Sequence, residues 1–570
     1  TRLNRLKLQN ARTTIVQCRQ QSSGPRTGAE FQQKLNDGPN LQHFIQQSGA
    51  EKSQRLEPFI MKWGKNLNEP YIEPKDLDGQ NAKVHIKTYG CQMNVNDTEI
   101  ASAILSQSGY QMMPNIEDAD IVFLMTCAIR ENAENKVWHK LRELERAKRS
   151  GAVKKFGLLG CMAERLKTKV LEEVPTIDVI GGPDSYRHLP KLLAVNSLTG
   201  QNAVNVLLSL DETYDDVLTD VHPHSSTITS RTSAYVSITR GCNNLCSYCI
   251  VPHTRGRERS RSIETILKEV RHYVDAGVRE IILLGQNVNS YRDFGGDQQV
   301  EGKEQQQQVK LAAGFRTLYK LKSGGIGFDV LLDEVARAHP DVRIRFTSPH
   351  PKDFTDEVIE VIARHPNIAK GLHMPAQSGS DAVLERMRRG YTKAAYLSLV
   401  ERIRAAIPGC AINSDFICGF CGETDADHQE TLDLVERVGY LVAYIFAYSM
   451  RERTHAHYHL VDDVPQEVKI ARLTELNQLY RLSSLRMNQA TVGTRQLLLI
   501  EGVSKKSPDQ LYGRNEANQK VVLTRRATED GSGDDLIDVG DFVDARIVGC
   551  TSVTLLGEPV AKSSITAFYA

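Results

Sequence analysis

Cysteine is the residue type in this sequence whose number and spacing point most directly to chemistry. The chain of 570 residues contains eleven cysteines, and three of them form a compact group directly after a predicted strand: Cys242, Cys246 and Cys249. Three thiolates on one tight loop can each bind an iron of a 4Fe–4S cluster, which leaves the fourth iron open for a substrate. The alternative is a zinc site with His253 as the fourth ligand, because structural zinc takes four protein ligands.

A second group of cysteines is dispersed along the sequence. Cys91, Cys127 and Cys161 each end a short apolar segment of the buried-strand type. Successive strands of a parallel sheet end along one edge, where ligands bind, so these three thiols are predicted to converge there. The alternative is that each cysteine only fills a core position, as small apolar residues do. The remaining cysteines are interpreted as packing residues rather than ligands: Cys18, Cys410, Cys418, Cys421 and Cys550.

Three predicted domains of α/β and β type position these side chains. Alternating strands and helices over residues 81–200 predict a parallel α/β domain that carries the dispersed cysteines. Six strand–helix units over 231–485 predict a partial (β/α)6 barrel, with its chemistry at the carboxyl ends of the strands. Alternating apolar and polar residues over 486–570 predict a small β-barrel.

Four other segments are predicted to lie outside these cores. Residues 1–29 carry six basic residues and no acidic one, which predicts a mitochondrial transit peptide; a basic disordered tail is the alternative. Residues 30–80 are predicted to be a disordered lead-in, and 201–230 a linker. Residues 297–322 are rich in glutamine and are predicted to form a surface insertion whose removal costs little activity.

Composition narrows the class of protein without naming a partner. Hydrophobic residues make up 40% and charged residues 25% of the chain, as in ordinary globular proteins. No run of about eighteen apolar residues occurs, so no membrane association is expected. A net charge of +1 does not exclude a nucleic-acid partner, because a basic face can be balanced elsewhere. Grouped cysteines in so long a chain argue against a disulfide scaffold.

The compact cysteine loop, with Tyr248 before its last cysteine, resembles the signature of radical S-adenosylmethionine enzymes. That resemblance implies a 4Fe–4S cluster that binds S-adenosylmethionine and cleaves it reductively to a 5′-deoxyadenosyl radical. Four further segments extend the likeness from Lys83 to the end of the chain: 87–94, 284–289, 346–351 and 373–380. Together they resemble the methylthiotransferase family, whose members carry an N-terminal three-cysteine domain, a radical domain and a terminal TRAM-like barrel.

Within this family the sequence is most similar to the transfer-RNA branch, and there to mitochondrial members named for binding a cyclin-dependent-kinase activator. The resemblance implies a second, auxiliary 4Fe–4S cluster on the dispersed cysteines, which carries the sulfur to be inserted. It also implies that Gln286, Gln377 and Glu423 bind S-adenosylmethionine. The implied reaction is insertion of sulfur at C2 of isopentenyl-adenosine in transfer RNA, followed by methylation from a second S-adenosylmethionine.

The resemblance places this reaction in the mitochondrial matrix, with an unidentified electron donor and a kinase activator as further partners. Two alternatives stay open. The same chemistry can act on threonylcarbamoyl-adenosine in transfer RNA or on a ribosomal protein. A protein of another class would bind and regulate the kinase activator, although six cysteines arranged for two clusters are hard to explain in a pure binding protein.

Two basic groups are candidate RNA contacts. Arg255, Arg257 and Arg259 lie just after the compact cysteine loop, and arginine binds phosphate through two parallel hydrogen bonds. The alternative is a solvated charged face at the start of a helix. The family resemblance adds Arg514 and Lys520 of the terminal barrel as RNA contacts.

Overall fold

The computed structural model describes residues 57–62, 70–128, 131–219, 232–295, 310–319, 324–524 and 537–570. The predicted transit peptide at 1–29 lies outside these ranges, as does most of the predicted lead-in. No helix within them is long and apolar enough to cross a bilayer. Five short 3-10 helices join the main elements: Pro74–Leu77, Ile116–Asp118, Tyr186–His188, Val288–Ser290 and Pro351–Asp353.

The first domain is a parallel sheet covered by helices. Its strands are β1 (Phe59–Ile60), β2 (Lys83–Thr88), β3 (Gln111–Met112), β4 (Ile121–Thr126), β5 (Lys155–Gly160), β6 (Val179–Gly181) and β7 (Ala203–Asn205). Its helices are α1 (Gln92–Gln107), α2 (Glu131–Arg149), α3 (Cys161–Leu166), α4 (Lys169–Glu173) and α5 (Leu189–Thr199). The strand order is β1-β7-β6-β5-β4-β2-β3, and β4 near its centre is buried along its whole length. Parallel strands covered on both faces are apolar throughout, so the predicted α/β domain is confirmed.

Two strands of this sheet lie where the sequence predicted none. β1 falls within the predicted lead-in and β7 within the predicted linker, and the two pair in parallel through Phe59 with Ala203 and Ile60 with Val204. Tyr214, also in the predicted linker, is buried and stacks on Tyr186 with 5.6 Å between ring centroids. Those two predictions are therefore wrong at these positions. Strands of two or three residues are too short for periodicity to reveal them.

The second domain is the predicted open barrel. Its strands are β8 (Ser233–Ser237), β9 (Thr239–Arg240), β10 (Arg259–Ser260), β11 (Glu280–Leu284), β12 (Arg292–Asp293), β13 (Ile326–Gly327), β14 (Arg343–Phe346), β15 (Gly371–His373), β16 (Ala411–Cys418) and β17 (Val442–Ala447). Its helices are α6 (Val251–Thr254), α7 (Ile263–Asp275), α8 (Phe328–Ala338), α9 (Asp356–Arg364), α10 (Asp381–Arg386), α11 (Lys393–Ala406), α12 (Asp425–Val438), α13 (His455–His459) and α14 (Gln466–Ala490).

Six of these strands form the wall of the barrel. β14-β11-β8 and β15-β16-β17 are two parallel three-stranded sheets, and a parallel bridge between Ile344 and Ile368 joins them. One face of the wall packs on the helices in a single apolar core that includes Val236, Ile281 and Phe416. The partial (β/α)6 barrel is therefore confirmed, and its loops at the carboxyl ends of the strands are placed to form the site.

Residues 310–319 pack against the second domain, although the sequence predicted a dispensable surface insertion there. Ala312 and Phe315 are buried, and the Phe315 ring centroid lies 4.9 Å from that of Tyr391. The Arg316 backbone N–H donates to the carbonyl of Gly390 at 2.9 Å. The prediction is wrong for this stretch, because irregular backbone can be held by tertiary contacts that leave no periodic pattern in the sequence. The rest of the predicted insertion, 297–309 and 320–322, falls outside the described ranges.

The third domain is a small closed barrel, as predicted. Its elements are β18 (Arg495–Val503), β19 (Gln510–Arg514), β20 (Lys520–Thr524), β21 (Phe542–Cys550), β22 (Thr554–Ser563) and α15 (Ile565–Tyr569). The strand order is β18-β19-β20-β22-β21, and its interior holds Leu498, Val521, Val543 and Leu555. Closure leaves no open sheet edge within this barrel.

Candidate active site

The compact cysteine loop joins β9 to α6 at the carboxyl end of the barrel wall. Gly241 opens it with φ +76°, and a Cβ there would lie 2.1 Å from the carbonyl oxygen of Arg257. Only glycine fits such a position without strain. The Gly241 N–H donates to Oε1 of Gln286 at 2.6 Å, and the Cys249 N–H donates to the carbonyl of Cys246 at 3.0 Å. The loop is thereby fixed at both ends before any cofactor binds.

The three thiols of this loop interact electrostatically. Burial raises the pKa of Cys242, and the neighbouring Cys249 and Cys246 raise it further. Burial and Cys246 raise the pKa of Cys249 to about 12. The positive charge of Arg389 opposes this rise in the pKa of Cys249. Its Nη1 also donates to Sγ of Cys246 at 3.4 Å. Thiols with raised pKa values, such as Cys242 and Cys249, lose their protons when they bind a metal centre, so cluster binding here releases protons.

The donor arrangement distinguishes a cluster from the zinc alternative. In the part of the chain that the structure describes, no three His, Cys, Asp or Glu side chains converge closely enough to hold a single metal ion. His253, the fourth ligand of the zinc alternative, is exposed. A cubane demands less convergence, because each thiolate binds a different iron. The described residues therefore do not assemble the four-ligand set that the zinc alternative requires.

The three residues predicted to bind S-adenosylmethionine lie in different settings. Gln286 holds Gly241 through Oε1, whereas its Nε2 is buried without a partner among the described residues, as expected of a group that awaits a ligand. Gln377 has φ +71°, and its backbone N–H donates to the carbonyl of Asp415 at 2.9 Å. Glu423 accepts from the Gly419 N–H at 2.8 Å and from Arg472, which gives it a structural role in its own loop.

The dispersed cysteines follow three neighbouring strands, in the order β5-β4-β2. Cys91 caps the N-terminus of α1, Cys127 directly follows β4, and Cys161 opens α3. A hydrogen bond from Cys127, aided by the charge of Arg255, lowers the pKa of Cys91 to about 6. Burial raises the pKa of Cys161, which also senses the charge of Cys91. The structure thus brings the three thiols together at one sheet edge.

Two buried donors beside these cysteines lack acceptors within the described ranges. Sγ of Cys91 donates to Oδ1 of Asn94 at 3.4 Å, while Nδ2 of Asn94 has no partner. Nε of Arg255 donates to Sγ of Cys161 at 3.1 Å, while Nη1 of Arg255 has no partner. Buried N–H groups are almost always satisfied, so these two fit an additional acceptor between the thiols. An anionic iron–sulfur cluster, whose sulfides accept hydrogen bonds, meets this requirement.

The two cysteine groups lie on either side of one contact between the domains. Ile250, the residue after Cys249, packs against Cys161 and Ala128 in a small buried cluster. Helix α3, which begins at Cys161, lies against α6, which begins one residue after Ile250. Sequence alone placed the groups in separate domains and gave no sign of this contact.

Two of the three arginines predicted to form an exposed basic run are buried. Arg255 and Arg259 are buried, and Arg259 binds both carboxylate oxygens of Asp184 at 3.0 and 3.1 Å. The prediction that these two arginines contact RNA is therefore wrong, because the first domain supplies acidic side chains that cover them. Arg257 is exposed and stays a predicted RNA contact.

The two predicted contacts of the terminal barrel, Arg514 and Lys520, differ in exposure. Nε of Arg514 donates to Glu501 at 3.2 Å, and its carbonyl accepts from Arg343 of the second domain at 2.8 Å. The Arg514 side chain is 39% exposed despite its ion pair with Glu501, so Arg514 stays a predicted RNA contact. Lys520 is exposed, with Nζ 4.4 Å above the Tyr512 ring, and stays a predicted contact.

A partial β/α barrel that presents a three-cysteine loop at its mouth defines a radical S-adenosylmethionine enzyme. Consistently, residues 236–435 match the Radical SAM superfamily, 83–182 match the Uncharacterized protein family UPF0004, and 489–560 match the TRAM domain.

Curated proteins similar to this chain define its family more closely. The mitochondrial tRNA methylthiotransferase CDK5RAP1 of Rattus norvegicus is 48% identical over 543 residues, covering 94% of this chain and 90% of that protein. The protein of the same name from Homo sapiens is 47% identical over 557 residues, with the same coverage. The tRNA-2-methylthio-N(6)-dimethylallyladenosine synthase of Porphyromonas gingivalis is 45% identical over 488 residues, covering 84% of this chain and 95% of that protein. The chain belongs to this family of tRNA methylthiotransferases.

Proposed function

We propose that this protein inserts sulfur at C2 of isopentenyl-adenosine in mitochondrial transfer RNA and then methylates that sulfur, using two molecules of S-adenosylmethionine. The names of the relatives support the reaction, the substrate and the mitochondrion. The observation that carries the proposal is the contact of Ile250 with Cys161, because it sets a radical site and a sulfur site side by side.

The radical site takes a 4Fe–4S cluster and S-adenosylmethionine, as membership of the radical family implies. When bound, that cluster supplies the electron for reductive cleavage of S-adenosylmethionine. The chain's own residues prepare the site. Gly241 and Gln286 fix the loop, and Arg389 holds a positive charge beside Cys246. Burial of Cys242 and Ile250 excludes water from the side that faces the first domain.

A second cluster on Cys91, Cys127 and Cys161 is part of the proposal. Its support is the convergence of three thiols at one sheet edge and the two unsatisfied donors, Asn94 and Arg255, that lie beside them. There the group would supply the sulfur that is inserted. The lowered pKa of Cys91 eases the loss of its proton when a metal centre binds.

The transfer-RNA substrate is supported by the TRAM match and by the family. The predicted contacts that stay available to RNA are Arg257 and Lys520, which are exposed, and Arg514, which is half-exposed. The names of the relatives favour the dimethylallyl (isopentenyl) substrate over threonylcarbamoyl-adenosine and over a ribosomal protein. The matrix location, the electron donor and the kinase activator stay predictions.

The test separates the two cysteine groups. Cys246→Ala should abolish both 5′-deoxyadenosine formation and the 2-methylthio nucleoside, because it removes a ligand of the radical site. Cys127→Ala should retain 5′-deoxyadenosine formation and lose the modified nucleoside. Both products are measured by mass spectrometry after anaerobic reconstitution, together with iron, which should fall from about eight to about four atoms per chain in either variant.

The matched control is Cys550→Ala, which alters a half-buried cysteine of the terminal barrel outside both groups. It should retain the full iron content and both products. Folding of each variant is checked first by circular dichroism, since loss of a metal centre can unfold its domain. A folded Cys127→Ala enzyme that still makes the modified nucleoside at the wild-type rate would show that the proposed division of labour is wrong.

A further inference from the structure

Arg255 belongs to the radical domain, yet its guanidinium lies among the cysteines of the first domain. It is the C-terminal cap of α6 and is 3% exposed. Its Nε donates to Sγ of Cys161 at 3.1 Å, and its Nη2 donates to Oδ2 of Asp97 at 2.6 Å. Its Nη1 is buried and has no partner in the ranges described. Two of the three nitrogens are thus committed, and the third is available beside the thiols.

Asp97 fixes the orientation of this guanidinium. Its carboxylate is 0% exposed and also accepts from Nη2 of Arg240 at 3.0 Å and from the hydroxyl of Tyr186 at 3.1 Å. Asp97 and Tyr186 belong to the first domain, whereas Arg240 and Arg255 belong to the second. A planar guanidinium held by such a network points its remaining N–H groups in one direction.

We propose that Arg255 is a positioning residue for the anionic group held by Cys91, Cys127 and Cys161. It donates through Nε to Cys161 and through Nη1 to a sulfide of that group, and its charge stabilises the more reduced state. The inference rests on the proposed function, since it takes the group to be the second 4Fe–4S cluster.

Charge explains why the site needs a cation. Cys127 and Cys161 are buried, and three thiolates with a cluster place net negative charge beside them, where charge is costly unless it is paired. Arginine stays protonated at any physiological pH, so it offsets the negative charge of the site throughout that pH range. Reduction adds one more negative charge, which a neighbouring cation favours. Hydrogen bonds to the sulfurs and net charge are the known determinants of cluster potential.

The assignment also makes the second site a composite of two domains. The first domain contributes the three cysteines, Asn94 and Asp97, and the radical domain contributes the cation. The complete electrostatic environment therefore exists only when the two domains are docked. Arg255 could not have been recognised from its position in a basic run, because its partners lie about 90 to 160 residues earlier in the sequence.

The experiment uses the full chain with Cys242, Cys246 and Cys249 all replaced by alanine, so that bound iron reports on the second site alone. Arg255→Met and Arg255→Lys are introduced into this parent. Arg259→Met is the matched control, because Arg259 lies on the same segment and is buried in an ion pair with Asp184 of the first domain. Each protein is reconstituted anaerobically, and its iron and sulfide contents are counted. The reduced fraction is then followed by electron paramagnetic resonance during a mediated redox titration.

We expect Arg255→Met to lower the ratio of reduced to oxidised cluster at a fixed potential at least tenfold, which is 59 mV for a one-electron couple. Arg255→Lys keeps the positive charge but loses the planar, forked guanidinium. The change in reduction potential should therefore have the same sign as in Arg255→Met and be smaller. Arg259→Met should titrate like the parent. If the Arg255→Met variant retains no iron, the Arg255→Lys variant is used instead. A reduction potential more negative than that of the parent supports the proposal, and a potential equal to that of the parent overturns it.

Two results would overturn the proposal in distinguishable ways. A parent protein that binds no iron would refute the second cluster itself, and the role of Arg255 with it. A parent that binds about four irons, together with an Arg255→Met variant of unchanged potential, would refute only the assignment of Arg255. An equal shift in Arg259→Met would likewise refute it, since the effect would then follow from any loss of a buried ion pair at the domain interface.

Discussion

Replacing Asp97 with asparagine tests whether the buried ion network joins the first two domains energetically. The substitution preserves shape but leaves the guanidinium groups of Arg240 and Arg255 with a neutral acceptor in place of a carboxylate. Removing one partner of a buried ion pair costs about 3–5 kcal/mol, because the remaining charge is left uncompensated. Because Arg240 retains its ion pair with Glu212 at 3.6 Å, we expect a loss of stability at the lower end of this range, about 3 kcal/mol. That is roughly a hundredfold in the unfolding equilibrium.

The assay is urea unfolding of the cluster-free chain, followed by tryptophan fluorescence, with Trp138 in α2 as a reporter of the first domain. Midpoints are compared at equal slope, because a changed slope would indicate loss of a single transition. The matched control is Glu452→Gln, which breaks an ion pair between Lys169 of the first domain and Glu452 of the second. Nζ of Lys169 lies 3.3 Å from Oε2 of Glu452, and the two side chains are 58% and 59% exposed.

The exposed pair should contribute about 1 kcal/mol or less, since solvent screens it. The reasoning would be refuted if Asp97→Asn lost no more stability than Glu452→Gln. That outcome would mean that hydration or rearrangement satisfies both arginines without the carboxylate, and that the domain interface depends on apolar contacts such as that of Ile250 with Cys161.

Two further predictions concern packing and pH. Phe315→Ala should destabilise the chain by about 3 kcal/mol in the same urea assay, because Phe315 is 9% exposed and packs on Tyr391. The control is Leu318→Ala, at a side chain that is 54% exposed, which should change the stability by less than about 0.5 kcal/mol. Equal losses of stability in the two variants would contradict the packing argument. Burial raises the pKa of Glu164 to about 7, so the stability from its neutral form is complete below about pH 4.5 and is lost as pH rises through about 7. Glutamine cannot ionise, so the free energy of unfolding of Glu164→Gln should rise relative to that of the wild type by up to about 3 kcal/mol between about pH 5 and about pH 8. Urea unfolding measures both free energies, and a difference between them that does not change with pH would contradict this prediction.

The sequence alone predicted the fold class of the three domains and the approach of the cysteines within each group. Alternation of apolar strands with helices predicts a parallel sheet, and in such a sheet successive strand ends share an edge. Cys91, Cys127 and Cys161 therefore had to approach one another once each was placed after a strand. The loop of Cys242, Cys246 and Cys249 is short enough that its spacing by itself brings the thiols together. These inferences succeed because they depend on local periodicity and on the geometry of regular elements.

Only the tertiary structure decided which polar residues are covered and by what. Arg255 and Arg259 read as a basic run, yet Asp97 and Asp184 from another domain bury them. Residues 310–319 read as a variable insertion, yet the second domain accommodates Phe315. Burial and ion pairing depend on which distant segment folds over a residue, and no local pattern records that. The cost of burying an unpaired charge makes such contacts specific. An arginine that would bind phosphate on a surface is held instead against a carboxylate and a cysteine of another domain, as Arg255 is by Asp97 and Cys161.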